Sequence, residues 1–306
     1  MGVKVNHASG VSVTVEGDFR GNGGGDLRMR HAYGEYKGFL AGRTWSNYNS
    51  FVGSTPTLDF DSLAGTAVLQ DRIEQLRYTT GPVSFSIENP GSGDVTNGIC
   101  GKSNNTCKPG TYTTITTRKS APALTARIQD SGGNVAYSAA GVVNRLTAEG
   151  SSNDDSAMGY GVFGAMSIDI SDMFSIQGAL NFTDGANGYL WHSGENYYAP
   201  SAYVDGNDIE TIKGYGGSLG ASLKLGNDNS INLGYGMTKL DLNDAYDDGA
   251  VTGAAAEKNQ NVMLNYKMTP IDNIMVGIEY AYFKQEHQGG ESDDANRVMF
   301  ATQYNF

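Results

Sequence analysis

From Val11 the chain reads V-S-V-T-V-E-G-D-F-R, and this alternation of apolar and polar residues recurs down to the last residue. Val11, Val13, Val15 and Phe19 fall on one face, with Ser12, Thr14, Glu16, Asp18 and Arg20 on the other. The pattern returns over 83–87, 124–128, 162–170, 174–182, 219–225, 231–237, 262–268, 274–282 and 298–306. Period two puts successive side chains on opposite faces of a strand, and the 3.6-residue period of a helix is almost absent. The chain therefore reads as all-β, with about fourteen strands.

The connections alternate as well. Short turns at 81–82, 130–133, 171–172, 226–229 and 269–272 take turns with long polar segments at 47–70, 90–118, 146–157, 184–211, 241–256 and 285–295. A soluble sandwich does not require that order. Nor does a small soluble barrel have room inside for the apolar faces of this many strands. A transmembrane antiparallel β-barrel requires both features. Its apolar band faces lipid, its lumen is polar, its periplasmic turns are short and its extracellular loops long. Tyr33, Tyr78, Tyr280, Tyr282, Tyr304 and Phe306 fall near strand ends on the apolar face, where interfacial girdles belong. No linker divides the chain, so residues 1–10 read as a lead-in to the first strand and 11–306 as one barrel domain.

Several classes are excluded or weakened. A net charge of -12 argues against nucleic acid as a partner, because phosphate binding needs a basic face. His7, His31, His192 and His287 lie too far apart for metal-ligand spacing, and none accompanies a G-x-S-x-G motif, so neither a metal, a cofactor nor an enzymatic activity is expected. Cys100 and Cys107 are the only cysteines. A disulfide-closed loop fits them better than a zinc site lacking two ligands or a redox pair at the wrong spacing, and it implies an oxidising compartment. Met1-Gly2-Val3-Lys4 opens no signal peptide, since no apolar core follows; a mature or trimmed form is expected.

Particular residues carry a family resemblance. The run Arg28-Met-Arg30-His-Ala-Tyr33-Gly-Glu-Tyr36, then Ala41-Gly-Arg43-Thr-Trp45-Ser, resembles the DcaP-like outer-membrane channels of Gram-negative bacteria. So do Gln75-Leu-Arg77-Tyr78-Thr, Phe85-Ser-Ile-Glu88-Asn-Pro90 and the terminal Phe306. The resemblance implies a homotrimer of sixteen-stranded barrels in the outer membrane that passes small anions, dicarboxylates above all. It also implies that Phe306 is read by the barrel-assembly machinery. Two further strands would then lie within 47–70, 90–118 or 184–211.

In such a barrel the arginines must point inward, since one facing lipid at the midplane costs about 2–4 kcal/mol. Alternation assigns Arg28, Arg30, Arg43, Arg77, Arg127 and Arg297 to the lumen, with Trp45 on the face of Arg43. Guanidinium groups match carboxylates and suit a substrate-binding ladder at a constriction. The opposing reading pairs them with Glu16, Asp18, Glu88, Asp169 or Glu279 as wall braces. His31 and Glu35 fall on the lipid face, which requires either a register break or a subunit interface. Lys224 and Lys267 would line the periplasmic mouth. Fifteen of the 33 acids crowd the outer loops, where they meet lipopolysaccharide and solvent rather than the constriction. The function expected is passive uptake of small organic anions. An adhesin or structural barrel with little flux is the alternative, and a lipase or protease barrel and a soluble sugar- or calcium-binding protein stand behind it. Either 47–70 or 90–118 is expected to fold into the lumen.

Overall fold

The alternation becomes strands in the computed structural model, which describes residues 1–21, 23–68, 70–90, 95–96, 116–117, 121–149, 154–205 and 208–305. In chain order the elements are β1 (Gly2–Asn6), β2 (Ser12–Gly21), β3 (Asp26–Tyr36), β4 (Phe39–Trp45), β5 (Arg72–Thr80), β6 (Val83–Glu88), β7 (Val95–Thr96), β8 (Thr116–Thr117), β9 (Ala123–Gly132) and β10 (Val135–Glu149). They continue with β11 (Asp154–Asp169), β12 (Phe174–Asp184), β13 (Ala202–Asp205), β14 (Asp208–Thr211), β15 (Lys213–Gly226), β16 (Asn229–Asp241), β17 (Ala256–Ile271), β18 (Ile274–His287) and β19 (Ser292–Tyr304). One short helix, α1 (Asn243–Asp247), sits in an outer loop. No described helix is long and apolar enough to cross a membrane.

A single sheet of 16 strands forms the wall, from β1 to β19 in sequence order. Each strand pairs antiparallel with the next. β8 extends the line of β9, pairing with β10 at Ala148 and Glu149. Residues 2–6, placed in a lead-in by the alternation, form a wall strand of their own along β2. The segment 184–211 does hold an extra pair, β13 and β14, but these join β7 in a separate three-stranded sheet outside the wall.

Burial is inverted relative to a soluble protein. Leu180 is 75% exposed and Phe300 74%, whereas Asn232 and Glu279 are each 1% exposed. Exposing large apolar side chains to water would forgo about 1.5–3 kcal/mol each, so the outer face is built for lipid. Outward aromatics touch one another around it: Phe39 with Tyr78, Tyr160 with Phe182, and Phe182 with Tyr215.

What buries the polar inner face is the segment 46–71, which leaves β4, crosses the lumen and returns to β5. Near its start, Asn47 bonds to Glu88 on β6 and Thr125 on β9. Farther on, Asn181 on β12 donates to Gly65 O at 2.6 Å, and Asn261 on β17 donates to Ser62 O at 3.1 Å. Its turn reaches both ends of the sheet at once, because Asp59 pairs with Arg297 on β19 while Arg30 on β3 stands over Phe60. One loop touches all these strands only if the sheet curls round it, which makes the wall a barrel. Two glycines permit the close approach. Gly53 has φ +81, and a Cβ there would lie 2.2 Å from Gly178 O; Gly65 has φ +68, with Gly217 N at 2.3 Å.

A candidate constriction in the lumen

Cross-strand register decides which arginines face the lumen. Arg77 pairs across β5–β6 with Ser86, and Arg127 across β6–β9 with Ser84. Ser84 and Ser86 are buried beneath the loop, while Phe85 and Ile87, which alternate with them, are exposed outward. Arg77 and Arg127 therefore share the inner face. Arg43 does not, contrary to expectation: it stands opposite Glu74, on the face of Phe39 and Ala41, and pairs with Glu74 at 2.6 Å. Gly42 and Leu40 take the inner positions instead. β4 is short, and its pairing with Gln75 and Arg77 fixes its faces.

His31 and Glu35, expected toward lipid, lie in the lumen together with Tyr33, which had been placed in the girdle. The cause is a β-bulge. Glu16 stands opposite His31 but Gly17 stands opposite Met29, so Arg30 is the extra residue. A bulge shifts the side-chain phase by one, which puts Arg28 and Arg30 on the inner side as well as His31, Tyr33 and Glu35.

Acids divide the inward arginines into two groups. Arg28 pairs with Asp18 at 2.6 Å, and Arg30 bonds both Glu16 at 2.9 Å and Asp18 at 3.0 Å. Arg297 pairs with Asp59 and lies 4.9 Å from the centre of the Phe283 ring. These brace the wall and the loop. Arg77 has no ion pair or hydrogen bond among the described residues, although Glu88, Glu35 and Arg127 lie within its electrostatic reach. Arg127 donates Nη1 to Asn49 O at 2.5 Å, and its buried Nε has no partner among the described residues.

A third such cation, Arg72, escaped the sequence reading. Alternation alone sends it outward, but the chain dives into the lumen at Ser46 and draws it in. Its guanidinium sits 3.5 Å from the centre of the Trp45 ring, and Nε donates to His31 Nε2 at 3.2 Å. His31 Nδ1 in turn meets Thr44 Oγ1 at 2.9 Å. The dipeptide Asp71-Arg72 at a long loop's return was the only signal.

Trp45, Phe51, Val52, Arg77, Arg127 and Gln129 line a cavity of about 500 Å³ between the loop and the β5–β11 wall. A second cavity, about 810 Å³, lies toward the periplasmic turns and includes Lys224. Ser54 and Ser167 border both, so the two spaces adjoin. Lys267 bonds Thr57 O at 3.1 Å instead of lining the mouth freely. No group of His, Cys, Asp or Glu suited to a metal occurs among the described residues. Cys100, Cys107 and Phe306 lie outside the described residues.

The outer end carries a folded cap. Ala199, Tyr203, Ile212, Leu240, Leu242 and Ala245 cluster there, and Tyr203 Oη donates to Asp248 at 2.7 Å. Burial, and then that carboxylate, push the Tyr203 phenol well above its usual range.

Against solved structures the whole chain superposes on the outer-membrane channel DcaP of Acinetobacter baumannii, with a TM-score of 0.83 and 28% identity over 84% of that chain. The chain is an outer-membrane β-barrel similar to DcaP along its whole length. The chain also matches a loop-deleted OmpT, an outer membrane protein of Vibrio cholerae, at TM-score 0.56 and 13% identity, covering 99% of this chain and 89% of that one. An anion-selective porin from Comamonas acidovorans matches at TM-score 0.52 and 12% identity, over 98% of this chain and 85% of that one. These last two likenesses speak for the fold alone. No protein-family model and no curated protein matches by sequence. The fold is of the porin type, and its place is the outer membrane of a Gram-negative bacterium.

Proposed function

We propose that the protein is a passive diffusion channel for small organic anions, with dicarboxylates favoured, that works as a homotrimer without catalytic chemistry. One observation carries this reading. Inside a porin-type barrel, Arg72, Arg77 and Arg127 stand on one wall of the lumen without a carboxylate salt bridge among the described residues, while Arg28, Arg30 and Arg297 are paired with acids. A guanidinium stays charged at any physiological pH and presents donors in a fork that fits a carboxylate. Successive guanidiniums let a dianion exchange water for one partner and then the next, so no step requires full dehydration. The apolar side formed by Trp45, Phe51 and Val52 narrows the passage without competing for the charge.

The negative net charge does not oppose this. The acids of the outer loops are screened beyond about 8 Å at physiological salt. Within the lumen, an anion about 4 Å from a cation gains about 1 kcal/mol in bulk-like water and about 4 kcal/mol where water is partly excluded. Proteoliposome swelling tests the reading. Succinate should enter faster than a neutral solute of equal size, and a cation of that size more slowly still. Equal rates for all three would remove the anion preference, and no flux at all would favour an adhesin.

A further inference from the structure

Two buried carboxylates grip the loop that crosses the lumen. Glu88 on β6 and Glu279 on β18 are each 1% exposed, and neither forms an ion pair among the described residues. A buried carboxylate is costly unless hydrogen bonds replace its water. Glu88 is satisfied where the loop begins, by Asn47 N at 2.6 Å and Ser46 Oγ at 2.7 Å. Glu279 is satisfied at the far turn. Leu58 N donates to Oε2 at 2.7 Å, Asp59 N to Oε1 at 3.2 Å, and Asn265 Nδ2 to Oε2 at 3.0 Å.

The second grip bears on the pore's charge. Holding Leu58 and Asp59 by their backbone aims the Asp59 carboxylate at Arg297 and sets Phe60 beneath Arg30. The wall is hollowed for the same turn: a Cβ on Gly277, two residues before Glu279, would lie 2.7 Å from Leu58 Cδ2. We propose that Glu279 is a positioning residue of the constriction, fixing the 58–59 turn so that Asp59 masks Arg297 and the loop keeps one width. The inference rests on the protein being a channel, and not on which ions the channel prefers.

Glu279→Gln keeps the shape but offers one acceptor where two backbone N–H groups need partners. The turn should loosen and Asp59 should leave Arg297, so the wall should lose the Glu279 charge and gain one unmasked positive charge. A unit charge about 8 Å from a passing ion changes that ion's population about twofold at the permittivity of water.

The experiment is planar-bilayer recording of wild type, Glu279→Gln, Asp59→Asn and the double variant, reading reversal potential under a KCl gradient and single-channel conductance. Asp59→Asn should raise the chloride-to-potassium permeability ratio about twofold; Glu279→Gln, which loses its own charge as well as releasing Asp59, should raise it about fourfold, and the double should raise it no further than Glu279→Gln alone. Glu279→Gln should also show a larger, noisier open level. A folded Glu279→Gln channel with wild-type ratio and conductance would overturn the proposal, as would additive shifts in the double variant. Should Glu279→Gln fail to assemble, Gly277→Ala presses on the same turn from the wall without changing any charge and should give the shift of Asp59→Asn; a wild-type ratio there would overturn it equally. A wild type without anion preference would count against the proposed substrate class, whereas the change relative to wild type would still judge the clamp.

Discussion

Replacing Arg77 with Gln isolates the cationic wall from the braces around it. Arg77 has no hydrogen bond or ion pair among the described residues, so the substitution breaks no structural contact and leaves Glu88 with its donors from Ser46, Asn47 and Ser86. What disappears is one charge facing the cavity of about 500 Å³. For a carboxylate about 4 Å away the lost attraction lies between about 1 kcal/mol in bulk water and about 4 kcal/mol at an effective permittivity near 20. A wet lumen sits toward the lower end, at about 1–2 kcal/mol, which is about 5- to 30-fold in affinity. The assay is succinate-induced block of single-channel current, titrated in wild type, Arg77→Gln and Arg297→Gln. Arg77→Gln should weaken the block by that factor. Arg297→Gln should change it less, because Asp59 already neutralises that arginine. If Arg77→Gln blocked like wild type while Arg297→Gln lost the block, the division between braced and unpaired arginines would be refuted.

Other consequences follow from the same geometry. Arg43→Ala should leave the reversal potential unchanged, since Arg43 faces outward onto Glu74; a shift comparable to that of Arg77→Gln would contradict its face. Gly53→Val should lift the loop from β12, because its side chain would strike Gly178 O; a heat-modifiable barrel with raised conductance is expected, and wild-type conductance would contradict the packing. Burial holds the His192 imidazole below its ordinary pKa, against the opposing pull of Asp61. The sign follows: the neutral ring's contribution is complete above the unfolded value near pH 6.5 and is lost as the pH falls through the lower folded value. Hydrogen exchange over 187–200 should thus quicken at pH 5 relative to pH 7.5 in wild type, and His192→Gln should flatten that difference.

The fold was legible because lipid imposes a rule that a single sequence displays. Each wall strand must alternate, and each long loop must be followed by a short turn, so Val83–Ser84–Phe85–Ser86 could be assigned faces without any partner. The candidate site was legible only in part. Arg77 and Arg127 lie mid-strand, where alternation holds. Arg30 is the extra residue of a bulge, and neither its phase nor that of His31 can be read without knowing that Glu16 and Gly17 face residues two apart on β3. Arg43 failed for a related reason: β4 is short, and its face is fixed by pairing with Gln75. Arg72 was missed because its direction follows from the loop turning inward at Ser46 rather than from strand phase. The sequence narrowed the infolded loop to 47–70 or 90–118 but did not single out 46–71. It rests on side-chain amides of Asn181 on β12 and of Asn261 and Asn265 on β17, all more than a hundred residues downstream.

The most direct test of the account is the reversal potential of the wild-type channel in a planar bilayer under a KCl gradient, followed by addition of succinate on one side. A potential near that of chloride, with current blocks that lengthen as succinate is raised, is the result expected from an unpaired cationic wall. A potential near that of potassium, or a channel that succinate leaves undisturbed, would contradict it.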